Sequence, residues 1–495
     1  MIFLYTNHNN DFEICNLIKA FFFRAEIKVL KDREEFEALK RTEKNCDNRS
    51  IFIESFIRNG KAVSEVSIGE RTERTEEDIE KTDILEDNEL KREKISTRKS
   101  LYNVLERFTE TPPKWGILTG VRPVKIYHTL REKGFSEEEI RKTLMREYRL
   151  EEEKAGLVMK IGSLERDIIY PLDKDRYSLY IGIPFCPTRC SYCSFTSNKY
   201  DEKKADKYID YLEREMEEVS EMLSSGGKVL DTVYIGGGTP TALNNGQLER
   251  VLKKLRECFK GGYREFTVEA GRPDTIDYDK LKLMKDYGVD RISINPQSMS
   301  DETLKRIDRD HSSEEIIDKY RMAKEIGFDS VNMDIIVGLP GEGAEEVEYT
   351  MEKISELRPE NLTVHTMALK KISKISQHIE DYNFQEASEI EEMLDITKKY
   401  AHDLNLHPYY MYRQKQILGN FENIGYAAPG KECIYNIMMM EEKKTIIALG
   451  VGSVSKFFYP DEDRIERVPN FKDLYVYFDR IEEAIDRKRV FAEEQ

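Results

Sequence analysis

Tyr180-Ile-Gly-Ile-Pro-Phe-Cys-Pro-Thr-Arg-Cys-Ser-Tyr-Cys-Ser-Phe195 reads as an apolar strand running straight into three cysteines, Cys186, Cys190 and Cys193. Thiols immediately after a strand fit a parallel α/β architecture, in which chemistry gathers at the carboxyl ends of the strands. The C-x3-C-x2-C spacing suits three thiolates gripping three corners of a four-iron cluster, with the fourth iron open to chelate a small ligand and pass it one electron. A structural zinc site asks for four closed ligands, and the flanking histidines, His128 and His311, lie far off in sequence. On spacing alone, zinc or an inert trio stays open as the alternative.

Downstream the same texture repeats. Short apolar strands are expected at 177–183, 231–235, 265–269, 290–294, 331–336 and 361–366, separated by amphipathic helices such as Lys203–Leu223, Gly246–Phe259, Ile276–Tyr287 and Ser313–Ile326. Six β-α units predict an α/β fold with a parallel sheet, open or closed into a partial barrel. The distinctive polar and glycine residues then follow strands: Gly236-Gly237-Gly238-Thr239 the second, Glu269 the third, Gln297 the fourth, Gly338-Leu339-Pro340 the fifth. Three glycines let a ligand approach backbone amides and carbonyls with no Cβ in the way, but the order is neither G-x-G-x-x-G nor a P-loop, so a structural turn is equally consistent. Glu269, at the end of an apolar strand, needs a partner to offset desolvation. It suits a pair of ribose hydroxyls, or a structural pairing with Arg272. Gln297, Arg309 and Asp334 are ordinary polar residues singly and together would ring one mouth.

The remainder is less specific. Residues 1 to about 60 suggest a small α/β module, and the charged stretch Glu65–Lys99 reads as a solvated helix running into Leu101, Val104, Leu105 and Phe108. Trp115–Lys125 is a turn-rich linker or an anion contact, and Ser136 with Glu139 predicts a capping box. Helical periodicity at Ser388–Leu404 precedes an aromatic C-terminal part with a strand at Thr445–Val451. The expected division is an N-terminal α/β plus helical domain at 1–170, a barrel at 171–385 and a C-terminal domain covering it at 386–495.

Composition narrows the class. The 495 residues carry 78 basic and 95 acidic side chains, a net charge of −17, which argues against a general nucleic-acid or anionic-membrane surface. Seven cysteines, three of them clustered, do not form a secreted disulfide framework. With neither a signal-peptide n-region nor an apolar run of membrane-spanning length, the expectation is a cytoplasmic protein with no stable membrane insertion.

Taken together, Tyr180-Ile-Gly-Ile-Pro-Phe-Cys, the cysteine loop, Gly-Gly-Gly-Thr-Pro-Thr, Glu269, Arg291-Ile-Ser-Ile-Asn-Pro-Gln-Ser and Asp334-Ile-Ile-Val-Gly-Leu-Pro-Gly resemble the radical S-adenosylmethionine (SAM) enzymes. Within them the chain resembles the oxygen-independent coproporphyrinogen III oxidase-like (HemN/HemW) group. Gly116-Ile-Leu-Thr-Gly-Val-Arg-Pro, Tyr412-Arg-Gln-Lys, Gly425-Tyr-Ala and Tyr435-Asn-Ile are similar to its HemZ branch. The resemblance implies a partial (β/α)6 TIM-type barrel with a [4Fe-4S] cluster on Cys186, Cys190 and Cys193 and SAM on the open iron. It places Tyr180, Gly236 and Glu269 at a first SAM molecule. Tyr192, Gly237, Gly238, Gln297, Arg309, Asp334 and Ala368 match positions of a second, and Thr239 belongs to the same glycine motif. It implies a 5'-deoxyadenosyl radical that takes a hydrogen from a propionate β-carbon. Loss of carbon dioxide and an electron then leaves a vinyl group, and two such events convert coproporphyrinogen III to protoporphyrinogen IX. An electron donor such as flavodoxin or ferredoxin follows from the same resemblance. Arg122, Lys125, Lys370, Lys371 and Arg413 are cations available to tetrapyrrole carboxylates.

Two features depart from the oxidases. They carry a further cysteine where this chain has Phe195, and their tyrosine-rich segment upstream of the cluster is missing. Phe195 resembles the related heme chaperones, so a heme carrier, with His365, His402 or His407 as axial ligand, or an enzyme acting on another tetrapyrrole stands beside the oxidase reading.

Overall fold

A continuous apolar run near the start of the chain builds β1 (Ile2–Thr6), followed by α1 (Asp11–Phe21), β2 (Ile27–Leu30), α2 (Arg33–Cys46), β3 (Ile51–Arg58), β4 (Lys61–Ile68) and β5 (Arg71–Asp78). The five strands form one sheet in the order β2-β1-β3-β4-β5, parallel around β1 and antiparallel from β3 to β5. Phe3, Leu30, Phe36 and Phe52 pack a small core on it, with Phe3 and Phe52 stacked at 5.1 Å. The computed structural model describes all residues except 24, 47–49, 80–87, 121, 196, 371, 379, 381, 383, 415–416 and 494–495.

The charged stretch from Glu65 does not form the expected helix, because residues 61–78 are strands and the helix α3 (Glu89–Leu105) starts only after an Asn88 cap. Arg71–Asp78 is charged at every position but Thr72 and Thr75 and forms an edge strand, where side chains on the open face stay solvated. Three helices follow: α4 (Val124–Glu132), α5 (Glu137–Arg146) and α6 (Glu152–Ile169). The capping box expected at α5 is present, Ser136 accepting from the Glu139 amide while Glu139 accepts from the Ser136 amide. Two compact units result, one of Met1–Gly162 with Arg413–Lys415 and Gly419–Phe421, the other of Ser163–Tyr412, Gln416–Leu418 and Glu422–Gln495.

The second unit carries the barrel. Its parallel strands are β6 (Arg176–Ile183), β9 (Val229–Gly237), β10 (Glu265–Gly271), β11 (Arg291–Ile294), β12 (Ser330–Val337) and β13 (Asn361–Thr366). A short pair, β7 (Phe185–Cys186) and β8 (Asn198–Lys199), lies between the first two. The intervening helices are α7 (Glu202–Ser225), α8 (Asn245–Cys258), α9 (Tyr278–Asp286), α10 (Asp301–Arg306), α11 (Ser313–Ile326) and α12 (Ala344–Leu357). All six strands and the expected helices fall where hydrophobic periodicity puts them, and the fold is an α/β partial TIM-type barrel.

The C-terminal region extends this same sheet. After α13 (Lys374–Gln377) and α14 (Ala387–Asp403), β14 (His407–Tyr412) and β15 (Asn423–Ala427) add antiparallel strands beyond β13. After α15 (Ile434–Glu441), β16 (Thr445–Leu449) pairs parallel with β6, and β17 (Val454–Tyr459) and β18 (Arg464–Pro469) complete the opposite edge. The sheet therefore has eleven strands, ordered β14-β15-β13-β12-β11-β10-β9-β6-β16-β17-β18.

The terminal helices α16 (Leu474–Asp479) and α17 (Ile481–Glu493) fasten to α7 through one buried carboxylate. Glu215 accepts from Lys488 Nζ at 2.8 Å, Asn470 Nδ2 at 2.9 Å, the Tyr477 hydroxyl at 2.7 Å and the Gly450 amide at 2.8 Å. Among the described residues, no helix is long and apolar enough to cross a membrane.

Candidate functional site

The cysteine loop leaves the carboxyl end of β6. Its backbone is pinned from several sides: the Tyr200 amide donates to Cys186 O at 2.9 Å, Ser191 N to Ile307 O at 3.1 Å and Ile375 N to Ser191 O at 3.1 Å. Cys186, Cys190 and Cys193 are free thiols. Burial pushes the Cys193 thiol up, and negative charge on Cys190 and Cys186 pushes it further, so the three sulfurs act on one another. A cationic iron centre bound by all three would stabilise them as thiolates at once.

The triple glycine is what lets β9 close onto this loop. A Cβ on Gly238 would sit 2.6 Å from Phe185 O and 3.0 Å from Cys186 Sγ. One on Gly236 would sit 2.9 Å from the Glu269 carboxylate and from the Tyr234 ring. Gly237 has φ +113°, open to glycine alone without strain. Thr239 donates its backbone N–H to Phe185 O at 2.8 Å, and its hydroxyl lies 3.5 Å from Cys186 Sγ.

Strand register then decides which side chains face the barrel interior. Gly182 pairs with Gly236, and on β10 Glu269 pairs with Ser293. Glu269 accepts from the Tyr234 hydroxyl at 2.6 Å and the Gly237 amide at 3.3 Å. Burial raises its carboxyl to about 7, and the charge of Asp334 adds to the shift. The alternative pairing with Arg272 does not occur, because Arg272 turns away to form a salt bridge with Asp274 at 2.8 Å. Tyr180, Tyr234 and Tyr435 stack beside the carboxylate, with centroids 6.1 Å apart for the first pair and 4.5 Å for the second. Tyr435 comes from α15, and Tyr234 is one residue from the strand's apolar core positions.

On the far side of the mouth, Asp334 lies inside β12 rather than after it. Asn332 Nδ2 donates to its Oδ1 at 2.7 Å, His365 Nε2 stands 3.8 Å from Oδ2, and the other ring nitrogen of His365 meets the Tyr412 hydroxyl at 3.1 Å. Burial opposes ionisation of Asp334, but His365, Asn332 and Thr363 together hold its carboxyl below the ordinary value. Gln297 bridges to Ile335 at φ 67°, an uncommon conformation for a residue with a side chain. Arg309 donates to Asn295 O at 2.5 Å and interacts with Tyr192 and Cys190. Ala368, just past β13, bridges to Ile417.

Thr267 Oγ1, Ser293 Oγ, Asn295 Oδ1 and Arg309 Nε are buried with no hydrogen-bond partner. Buried polar atoms left this way fit a polar ligand that completes them. The residues present thus suit both an iron–sulfur cluster and a polar cofactor. Sequence reasoning gave no role to Tyr234, Tyr435 or Tyr412, and it named His365 only as a possible axial ligand and Arg272 only as a possible partner of Glu269. Only the strand periodicity around Tyr234 and His365 hinted at an inward face.

The proposed cations fare unevenly. Arg413 is 3% exposed and committed to the Leu118 and Asn420 carbonyls, with its guanidinium over the Trp115 ring at 4.9 Å. Lys370 is half-buried, and Lys371 lies outside the described residues. Of the histidines, His402 is 89% exposed and His407 is paired with Glu432 at 2.8 Å.

A Radical SAM superfamily profile matches residues 180–354. The oxygen-independent coproporphyrinogen-III oxidase-like protein HemZ of Bacillus subtilis (strain 168) is 40% identical over 398 residues, 79% of this chain and 79% of its own. Heme chaperone HemW of the same organism is 34% identical over 195 residues, 39% of this chain and 51% of that protein. Among solved structures, coproporphyrinogen III oxidase (HemN) from Escherichia coli, described as a radical SAM enzyme, has a TM-score of 0.53 at 26% identity, covering 65% of this chain and 72% of that one. The fold and the cysteine rim are those of a radical SAM enzyme. More narrowly, the chain belongs to the HemN/HemW-like family, in its HemZ branch, and the superfamily binds a [4Fe-4S] cluster and SAM.

Proposed function

We propose that the chain catalyses oxygen-independent oxidative decarboxylation of coproporphyrinogen III propionates to vinyl groups, giving protoporphyrinogen IX. One observation carries the reading: a rim of free thiols, glycine backbone and a strand-end carboxylate meets at the carboxyl ends of parallel strands, in a chain similar over most of its length to an oxidase-like protein. Cys186, Cys190 and Cys193 would hold the cluster. Bound there with SAM, it would supply one electron for reductive cleavage of SAM, the source of a radical able to take hydrogen from a substrate β-carbon.

The chain's own residues supply position. Glu269, oriented by Tyr234 and the Gly237 amide, accepts two ribose hydroxyls, and those donors draw it to its ionised form. The Gly236–Gly238 backbone meets ammonium and carboxylate groups without steric hindrance, with Tyr180 and Thr239 beside it. Gln297, Arg309, Asp334, Tyr192 and Ala368 line a second polar site on the same rim. A flavodoxin- or ferredoxin-class donor supplies the electron.

A second reading, heme carriage, is favoured by Phe195, 68% exposed where the oxidases carry cysteine. Anaerobic reconstitution with iron and sulfide, then SAM, reductant and coproporphyrinogen III, separates the two. Deoxyadenosine and carbon dioxide in proportion to vinyl product support the oxidase. Tight heme binding with neither product sinks it.

A further inference from the structure

The three thiols do not have equivalent surroundings. Cys186 faces the neutral Thr239 hydroxyl at 3.5 Å. Cys190 faces charge. Arg272, 3% exposed, uses two edges of its guanidinium on Asp274, Nε to Oδ1 at 2.9 Å and Nη2 to Oδ2 at 2.8 Å. The remaining Nη1 donates to Thr188 Oγ1 at 2.6 Å and reaches Cys190 Sγ at 3.9 Å. A second buried guanidinium, Arg309, also adjoins Cys190.

Burying a guanidinium is costly unless its donors are matched. Asp274 matches one face of the fork; the other points at a sulfur and at the hydroxyl two residues before it. His311 stands behind Asp274, its Nδ1 3.9 Å from Oδ1 and its side chain fully buried, with neither ring nitrogen hydrogen-bonded. Burial, helped by the nearby arginines, drives its pKa down to about 3, so it stays neutral and leaves Asp274 as the anion facing Arg272.

We propose that Arg272 is a positioning and tuning residue for the cluster: it fixes the loop through Thr188 and sets the reduction potential through its charge at the Cys190 corner. This rests on the three cysteines being the cluster ligands and is independent of whether the chain is an oxidase or a heme carrier. Reduction adds negative charge to the cluster, and a fixed cation in a low-dielectric shell stabilises the reduced state more than the oxidised one. Asp274 works against it, so the two residues have opposite signs of effect.

The test is potentiometric titration, followed by EPR, of the reconstituted full-length chain and its variants. Arg272→Gln should lower the midpoint by the equivalent of about a tenfold change in the reduction equilibrium, about 59 mV for one electron. Asp274→Asn should raise it. Arg272→Lys, which keeps the charge and loses the fork, should return most of the wild-type value. If Arg272→Gln fails to load iron, the upward shift in Asp274→Asn still carries the test. Midpoints unchanged in both variants, or shifted in the same direction, overturn the proposal. A wild-type chain that assembles no four-iron cluster overturns the cysteine assignment beneath it instead.

Discussion

The Tyr234 hydroxyl donates to Glu269 Oε1 at 2.6 Å across neighbouring parallel strands, so the acid near the carboxyl end of the third strand is oriented before any ligand arrives. Its carboxyl is raised from 4.5 to about 7. Between those values the folded chain holds a proton that the unfolded chain has lost, so this group makes stability fall as pH rises. Apo Glu269→Gln should therefore be more stable than wild type at pH 8 by on the order of 1–2 kcal/mol, after discounting for partial exposure. The advantage should vanish below about pH 4.5 in thermal melts. The same variant should bind SAM roughly 10- to 100-fold more weakly, since a charged acceptor is lost, by calorimetry on the reconstituted chain.

Glycines at the end of β9 are expected to tolerate no methyl group. Gly238→Ala presses against the Phe185 backbone and should cost about 1–3 kcal/mol, together with cluster content measured as iron per chain. Gly156→Ala, on the exposed face of α6 with open space around it, is the control. It should stabilise by about 0.5–1 kcal/mol in the same denaturant titration.

Lys488→Met leaves the Glu215 carboxylate buried without its cation. Burial raises the Glu215 carboxyl, but Lys488, Asn470 and Tyr477 outweigh it and hold the pKa below the ordinary value. The native pair therefore contributes stability that is present above about pH 4.5 and lost as pH falls through the depressed value. The variant should lose about 3–5 kcal/mol at pH 7, with the deficit shrinking toward pH 4 in urea unfolding curves.

His365→Asn removes the group that most lowers the Asp334 pKa. Asp334 should then take up its proton at higher pH. The acid limb of SAM cleavage, followed as deoxyadenosine release, should move upward relative to wild type. Tyr412→Phe, which leaves His365 facing Asp334, should move it less.

Much of this molecule was legible in its sequence, and the reasons are local. Each barrel strand is a short apolar run bounded by glycine, proline or charge, and each helix an amphipathic repeat, so both periods are visible without tertiary context. The charged stretch after Glu65 misled because an edge strand with one solvated face has a helix-like composition. The site residues that follow strands were found by the rule that chemistry collects there. The partners of Tyr435, Tyr412 and Arg272 were not, since a tyrosine after the sixth strand or an arginine beside a proline carries no signal of the group it will meet.

The sequence by itself determined the strand-and-helix order, the cysteine spacing and the glycine run, because these depend on residue type and on separations of a few positions. Tertiary structure alone decided that β16 returns to lie beside β6, that Tyr180, Tyr234 and Tyr435 stack, that Glu269 pairs with Tyr234 instead of Arg272, and that Cys190 is the thiol with a buried cation beside it. Those outcomes depend on which strands become neighbours and on their register. Both are set by the assembly of the whole sheet, with burial converting ordinary polar residues into groups that must find a partner.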